Sequence, residues 1–261
     1  MGLYMDQKKS KILNIIFSET RISTKELSKR LNLSMETVRR YLDALEKESK
    51  IKRVHGGAER LDSYTSEENI SVRITQRERE KRKIAKLAAQ SILDGDKIII
   101  DEGSTTLQLV NFLEGKKELL IITSSFPVAI AIMNLLNQNK ITGELIFLGG
   151  IVQSDNKRTV GDSCIEVVDR YFVDKAFISC EGITLKDGIT AFNDLKARVT
   201  RKFIAQAKEI IILADYSKIG IRNHYKIDEL INVNRIITNK DAPPEWKEKL
   251  EFWNIKWDKA K

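Results

Sequence analysis

The run from Ser23 to Ala58, STKELSKRLNLSMETVRRYLDALEKESKIKRVHGGA, constrains the fold of this chain more than any other stretch. It holds two short helical patterns, each behind a capping residue, a tight junction between them, and a basic run that closes on Gly-Gly. Ser23 with Glu26 forms a capping box, in which each side chain satisfies an orphan backbone donor of the other. Leu27 and Leu31 then share one face. After Asn32-Leu33, Ser34 caps a second helix in which Val38, Leu42 and Leu45 recur at i, i+4 and i+7 and so face inward. That burial leaves Met35, Glu36, Thr37, Arg39 and Arg40 on a free face over the first two turns, where a recognition helix meets base edges and phosphates. An arginine there can fork onto guanine O6 and N7. Ile51 to His55, followed by Gly56-Gly57, reads as a strand and turn, a wing whose cations can ride along a nucleic-acid backbone or reach a minor groove. Ile12, Ile15 and Ile16 supply the apolar face of a third helix. The pattern predicts a winged helix-turn-helix over residues 1–60, with Ser34, Glu36, Thr37, Arg39, Arg40, Lys52, Arg53 and His55 facing double-stranded DNA.

Paired arginines on a helix are more often a solvated face than a nucleic-acid contact, so their surroundings must decide. Residues 1–60 carry 14 Lys+Arg against 8 Asp+Glu, which places +6 of the chain's formal +8 in under a quarter of its length. The rest is nearly neutral. That asymmetry is the electrostatic footprint of a nucleic-acid module joined to a body of a different kind. The 261 residues suffice for one small and one medium domain, each with its own core. No apolar run approaches the roughly 20 residues of a membrane span, and MGLYMDQKKS lacks a secretory apolar stretch, so a cytoplasmic protein with no membrane partner is expected. Cys164 and Cys180 have no partners at zinc or redox spacing and are expected as reduced, buried thiols; His55 and His224 are the only histidines. No metal, cofactor or catalytic triad is expected from such a set.

Residues 61–74, LDSYTSEENISVRI, are polar, lack sustained periodicity and read as a linker to a body at 75–261. Thr75 with Glu78 suggests another capping box, opening a helix through Ile84, Leu87, Ala88 and Ile92. Beyond it, β-rich runs at Lys97–Asp101, Leu119–Thr123, Glu144–Leu148, Lys175–Ser179, Glu209–Ala214 and Arg235–Thr238 alternate with helical patterns near Thr105–Leu113, Pro127–Leu136, Asp162–Tyr171 and Asp194–Ala207. Nearly continuous apolar strands between helices imply a mainly parallel, Rossmann-like α/β sheet covered on both faces. Trp246, Trp253 and Trp257 cluster near the end, where packing over the sheet is favoured over self-association.

The chemistry of this body gathers just after its strands. Asp101-Glu102-Gly103-Ser104-Thr105-Thr106 is a strand running through a glycine turn into a helix start. Glycine lets the backbone approach a ligand, exposed N–H groups favour an anion, and three hydroxyls can donate. Ser and Thr are also ordinary N-caps, so this motif is weak alone. Other strand ends supply Thr123-Ser124-Ser125, Gly149-Gly150, Glu181-Gly182 and Asp215-Tyr216-Ser217-Lys218, and ligands of open α/β sheets sit beyond the strands' carboxyl ends. Donors, a cation and carboxylate acceptors together suit a phosphorylated polyol. The absence of GxGxxG argues against a dinucleotide.

Over nearly its full length the chain resembles the DeoR-type bacterial transcriptional regulators. LSMETVRRYLDALE and KRVHGGA resemble the family's recognition helix and wing, and KRKIAKLAA, IIIDEGSTT, IITSSFPVA, LGG, FISCEGI, GIT and LADYSKIG follow in the family's order. The resemblance implies a repressor of a sugar-utilisation operon, released by a phosphorylated sugar bound in a domain similar to ribose-phosphate isomerase, and a homo-oligomer, dimer or tetramer. Carried over by matched position, the effector residues would be Asp101, Gly103, Ser104, Thr105 and Thr106, with Thr123, Ser125, Gly149, Gly150, Glu181 and Lys218 as further candidates. Arg39-Arg40-Tyr41 departs from the family's usual Arg-Arg-Asp, and Thr123-Ser124-Ser125 from Thr-Asn-Ser.

Two rival classes of function compete with this reading. A sugar-phosphate isomerase would need a base such as Asp101, Glu181 or Asp187 and an electrophile such as Lys196 or Lys218, yet the same groups suffice merely to bind. RNA binding is disfavoured because the basic module lacks interleaved aromatic residues.

Overall fold

Ser23 Oγ accepts from the Glu26 amide at 3.1 Å and starts the helix Thr24–Leu31. The Glu26 carboxylate, expected to reach back to the cap, instead accepts from Arg30 Nε at 2.8 Å, one turn on. Asn32 ends the helix in the left-handed region (φ 49), which asparagine tolerates better than most residues. Ser34 Oγ then accepts from the Thr37 amide at 3.1 Å and opens the helix Met35–Lys47. Val38, Leu42 and Leu45 are fully buried with Ile12, Ile16, Leu27 and Ile51. Strands Ile51–Val54 and Gly57–Arg60 form an antiparallel wing, and Arg21–Ser23 adds a third strand beside the second of these. Gly57 permits this approach, since a Cβ there would lie 2.2 Å from the Ile22 carbonyl oxygen.

These observations come from a computed structural model that describes residues 8, 9, 11, 12, 15, 16, 19, 21–47, 51–60 and 67–261. The chain divides into two units, Met1–Glu67 and Glu68–Lys261. Of the stretch read as a linker, residues 61–66 lie outside the described residues. Its last part is not a linker: Ile70–Thr75 is a short helix, capped where Asn69 Oδ1 accepts from the Ser71 amide at 2.9 Å. The capping box expected at Thr75 is also absent, because Thr75 closes that helix and donates to the Val72 carbonyl at 3.0 Å. Arg77, in the left-handed region at φ 48, turns the chain into the next helix, Glu78–Ala89.

In the larger unit, Lys97–Ile100, Leu119–Thr123, Gly143–Phe147, Val173–Ile178, Ala207–Leu213, Arg235–Thr238 and Lys256–Lys259 form one seven-stranded sheet with every pairing parallel. Numbered by their order in the chain, the strands lie 3-2-1-4-5-6-7 across it. Alternation buries both faces: Ile99, Ala176, Ile178, Ile212 and Ile236 enter one core, and Ile98, Ile100, Phe177, Ile211 and Ile237 the other. Order therefore reverses between Lys97–Ile100 and Val173–Ile178, and a crevice at their carboxyl ends is where such sheets bind ligands.

The edge strand Lys256–Lys259 and two small antiparallel sheets lie outside the strands expected from sequence. Trp246 is buried and meets Trp257 edge-on at 6.1 Å, so the aromatic cluster packs onto the sheet's own core. Both cysteines are free and buried, and no helix among the described residues is long and apolar enough to cross a membrane.

Candidate nucleic-acid surface and effector cleft

On the recognition helix, Glu36, Arg39 and Arg40 are exposed and Thr37 is half-buried, with its hydroxyl 2.8 Å from Ser34 Oγ. Ser34 and Thr37 thus spend part of their hydrogen-bonding capacity on the helix start. Tyr41, where the resembling family has Asp, is buried in the small core, and the Arg40 guanidinium lies over its ring at 5.9 Å. Two of the wing cations are engaged within the unit. Arg53 Nη1 lies 3.2 Å from Asp43 Oδ1 and its amide donates to Glu46 Oε1 at 3.0 Å, which ties the wing to the recognition helix. Lys52 pairs with Glu59 across the wing at 3.1 Å, an exposed contact weak enough to yield to a phosphate. His55 is exposed at the turn.

At the topological reversal, Gly103 lets the loop after the first strand press against the end of its neighbour. A Cβ at Gly103 would lie 2.6 Å from Ser179 Cβ. Ser179 donates from its amide at 3.1 Å and its hydroxyl at 3.0 Å to Asp101 Oδ2, and its hydroxyl also donates to the Glu102 carbonyl. Asp101 is therefore a lock between two strand ends, behind the cleft rather than in its lining. Burial, with Glu102 close by, raises its carboxyl above the usual range, against the opposing effect of Lys196. Thr106 is also committed to the loop, donating to the carbonyls of Asp101 at 2.7 Å and Gly103 at 3.1 Å. The expected helix Thr105–Leu113 is one short turn, Ser104–Leu107, followed by a tighter 3-10 turn, Gln108–Phe112, so few peptide dipoles add up there.

The cleft is lined by Gly103, Ser104 and Thr105 on one side and by Ala214, Asp215 and Lys218 on another, with Ser179 and Cys180 between them. Burial pushes the Cys180 thiol up to about 12, which makes it an inert wall. Leu213 completes the apolar part, and the rest of the lining was missed by sequence reasoning: Arg73, Gln76, Arg77 and Lys81. Arg77 Nε lies 3.7 Å from Asp215 Oδ1. Burial pulls Lys81 down to about 7, and Lys218, Arg73 and Arg77 push the same way against the pull of Asp215. Asp215 would be raised by burial, but Lys218, the Ser217 hydroxyl at 2.6 Å, Arg77 and Lys81 hold it below its usual value.

Other expected effector residues sit elsewhere. Thr123 Oγ1 accepts from the Ser125 amide at 3.1 Å, and Ser125 Oγ caps the helix Phe126–Asn137. Gly149 and Gly150 are exposed at a turn packed on Cys164, whose thiol donates to the Gly149 carbonyl at 2.9 Å. Glu181 accepts from Lys196 Nζ at 2.8 Å inside a buried ionic cluster, where Glu102 meets Arg158 Nη1 at 2.6 Å, Arg73 at 3.4 Å and Lys196 at 3.5 Å. Of the groups considered for an isomerase, Glu181 and Lys196 are thus partners of each other and, like Asp101 and Asp187, absent from the cleft lining, whereas Lys218 belongs to it. Thr123, Ser125, Gly149, Gly150 and Glu181 do not join Ser104, Thr105 and Lys218 in one pocket.

A small unit with an exposed recognition helix, followed by a Rossmann-like α/β unit with a cationic cleft at its strand reversal, defines a helix-turn-helix regulator with a sensor domain. Residues 9–64 match the DeoR-like helix-turn-helix domain and residues 76–240 the DeoR C terminal sensor domain, and the chain belongs to the DeoR family of transcriptional regulators. It is 34% identical over 238 residues, 91% of this chain and 90% of the other, to the HTH-type transcriptional repressor GlcR of Bacillus subtilis. It is 31% identical over 233 residues, 89% of this chain and 90% of the other, to the HTH-type transcriptional regulator GolR of Listeria innocua. These relatives are named as regulators, not as enzymes. Among solved structures, a ribose 5-phosphate isomerase from Methanocaldococcus jannaschii matches with TM-score 0.37 and 23% identity, covering 54% of each chain. A likeness that partial carries neither substrate nor reaction.

Proposed function

We propose that this regulator is a repressor of a sugar-utilisation operon and leaves its operator when a phosphorylated sugar occupies the cleft of the larger unit. One observation carries the effector's chemistry: Arg73, Arg77, Lys81 and Lys218 converge with the hydroxyl residues Ser104 and Thr105 on one cleft that holds a single carboxylate, Asp215. Arg73 is paired with Glu102 and Glu181 behind the lining, and the excess of cationic donors that Arg77, Lys81 and Lys218 leave over Asp215 suits a dianion, while the carboxylate and Gln76 suit sugar hydroxyls. The cations take over the role that sequence reasoning gave to a helix dipole. Asp101, Thr106 and Glu181 serve this reading as supports behind the site.

Operator recognition is assigned to Arg39 and Arg40, with Glu36, Thr37, Lys52 and His55 around them. Release requires the sugar phosphate to prefer the state that does not bind DNA, because a ligand with equal affinity for both states shifts nothing. The test titrates operator complexes with hexose and pentose phosphates and with their unphosphorylated parents. A Ser104→Ala/Thr105→Ala double variant should bind operator normally and resist release. Deleting two donors to a charged group costs at least about a hundredfold in effector affinity. Release by the parent sugar as efficiently as by its phosphate, or a double variant that responds like wild type, would sink the assignment.

A further inference from the structure

Lys81 sits where lysine is seldom found. The residue is 4% exposed, yet its Nζ donates to the Arg73 carbonyl and, among the described residues, forms no ion pair. A lysine is rarely buried to this degree unless it is paired. The groups that act on it come from three segments: Arg73 and Arg77 beside the break between the first two helices of the unit, Asp215 and Lys218 after the strand Ala207–Leu213, and Glu68 at the unit's start. Glu68 is itself raised by burial and accepts from Gln76 Nε2 at 3.0 Å, while Asp215 already serves Arg77 and Ser217. Packing alone would have favoured an apolar side chain at position 81. Arg73 is answered by Glu102 and Glu181 at 3.4 and 3.6 Å, whereas Arg77, Lys81 and Lys218 share Asp215 and Glu68, and that part of the cluster is stable with fewer charges, or with an anion among them.

Arg77 adds a second, independent sign. It holds a left-handed backbone conformation that a residue with a side chain rarely adopts, and it does so between the helices Ile70–Thr75 and Glu78–Ala89. Residues kept in such conformations cluster at ligand clamps. Here the turn lets Arg73, Arg77 and Lys81 line the same cleft.

We infer that Lys81 and Arg77, with Lys218, form the seat of the effector's phosphate, and that filling this seat takes up a proton at Lys81 Nζ. In the empty cleft the amine gives up a proton to solvent more readily than an ordinary lysine, because burial and three cations disfavour its charge. An arriving dianion reverses that balance: the amine binds one proton from solvent and the resulting ammonium donates to a phosphate oxygen. Above the range in which a phosphate monoester itself ionises, near pH 6, Lys81 is the cleft-lining group that links binding to pH, while Asp101, raised to about 7 mainly by burial, lies behind that lining. Because Lys81 also holds the Arg73 carbonyl, an anion that draws Nζ away acts directly on the helix Ile70–Thr75. That helix is also held by the Ile70 amide on the Asp155 carbonyl at 3.2 Å and by Arg73 on Asn156 at 3.1 Å, Glu102 at 3.4 Å and Glu181 at 3.6 Å.

This inference rests on the reading that the cleft binds a phosphorylated ligand, and one experiment separates the two. The full-length protein is titrated calorimetrically with inorganic phosphate and with hexose and pentose phosphates, in two buffers of different ionisation enthalpy, between about pH 7 and pH 9. Wild type should take up about one proton at the alkaline end and lose up to about tenfold in affinity per pH unit there. Lys81→Arg, whose charge is permanent, should still bind but with no proton uptake and a flat pH profile. Lys81→Met and Arg77→Gln should each weaken binding at least about tenfold at pH 7. Circular dichroism confirms folding of each variant, and Lys81→Arg and Arg77→Gln keep the test open where Lys81→Met does not fold. A wild type that binds no phosphate compound overturns the functional reading. A wild type that binds, with affinity and proton uptake unchanged in the variants, overturns this inference alone.

Discussion

Replacing Arg158 with Met tests the buried ionic cluster on which the cleft is built. The Arg158 side chain is fully buried, with Nε donating to Gln153 Oε1 at 2.7 Å and Nη1 to Glu102 Oε1 at 2.6 Å. Removing one partner of a buried pair usually costs about 3–5 kcal/mol, because the other is left charged in a dry site. Here Arg73 and Lys196 remain 3.4 and 3.5 Å from Glu102 and keep part of the compensation, so the lower end, about 3 kcal/mol, is expected. That shifts the unfolding equilibrium about a hundredfold. Urea unfolding followed by tryptophan fluorescence reports this unit alone, since Trp246, Trp253 and Trp257 all belong to it. The pH dependence has a definite sign. Burial would raise Glu102, but Arg158, Lys196 and Arg73 hold it below its ordinary value of 4.5. A carboxyl depressed in the folded state contributes stability that is fully present above its unfolded value and is lost as pH falls through the folded one. The gap between wild type and Arg158→Met should therefore be widest above pH 4.5 and narrow below it. A loss under about 1 kcal/mol, or a gap that does not change in acid, would refute the ionic account and leave Arg158 as mere filling.

Arg39→Ala and Arg40→Ala should each weaken specific operator binding by about 1–3 kcal/mol where the arginine meets a base, or flatten the salt slope by about one where it meets a phosphate; unchanged footprints and salt slopes in both would remove the helix from the interface. Gly57→Ala places a Cβ 2.2 Å from the Ile22 carbonyl oxygen and 2.9 Å from Ser23 Cα, so operator affinity should fall about fivefold to a hundredfold, the equivalent of about 1–3 kcal/mol for overpacking; full affinity in a gel shift would show that the wing can shift aside. If the small DNA-binding unit works in pairs, footprints should show half-sites about 10–10.5 base pairs apart or a multiple of that, and light scattering should show more than one chain on DNA. A monomer both free and bound would end that proposal.

The helix-turn-helix was legible because its determinants are local. Caps at Ser23 and Ser34, the i, i+4, i+7 spacing of Val38, Leu42 and Leu45, and the close approach at Gly57 all act within a few residues or one strand pairing. The main strands were legible for a related reason, since a parallel sheet covered on both faces needs nearly unbroken apolar runs. The edge strand Lys256–Lys259, KWDK, lacks that signature, because one of its sides meets no further strand. The cleft was legible only in part. Ser104, Thr105 and Lys218 stand at strand ends, as the general rule for such sheets requires, but which strand ends meet is fixed by pairings between residues 78 positions apart, such as Ser179 with Asp101. Arg73, Arg77 and Lys81 were hidden for a different reason. The first lies in a polar stretch that reads as linker, the second is itself a left-handed residue that no periodicity announces, and the third follows it one helical turn on. A helix pattern records which residues face a core and is silent about a backbone break that turns charged residues inward. The same break makes the opening of the larger unit, the stretch nearest in sequence to the DNA-binding unit, a wall of the cleft. A ligand that pulls on Arg77 and Lys81 therefore acts on the chain segment that opens the larger unit, next in sequence to the DNA-binding unit.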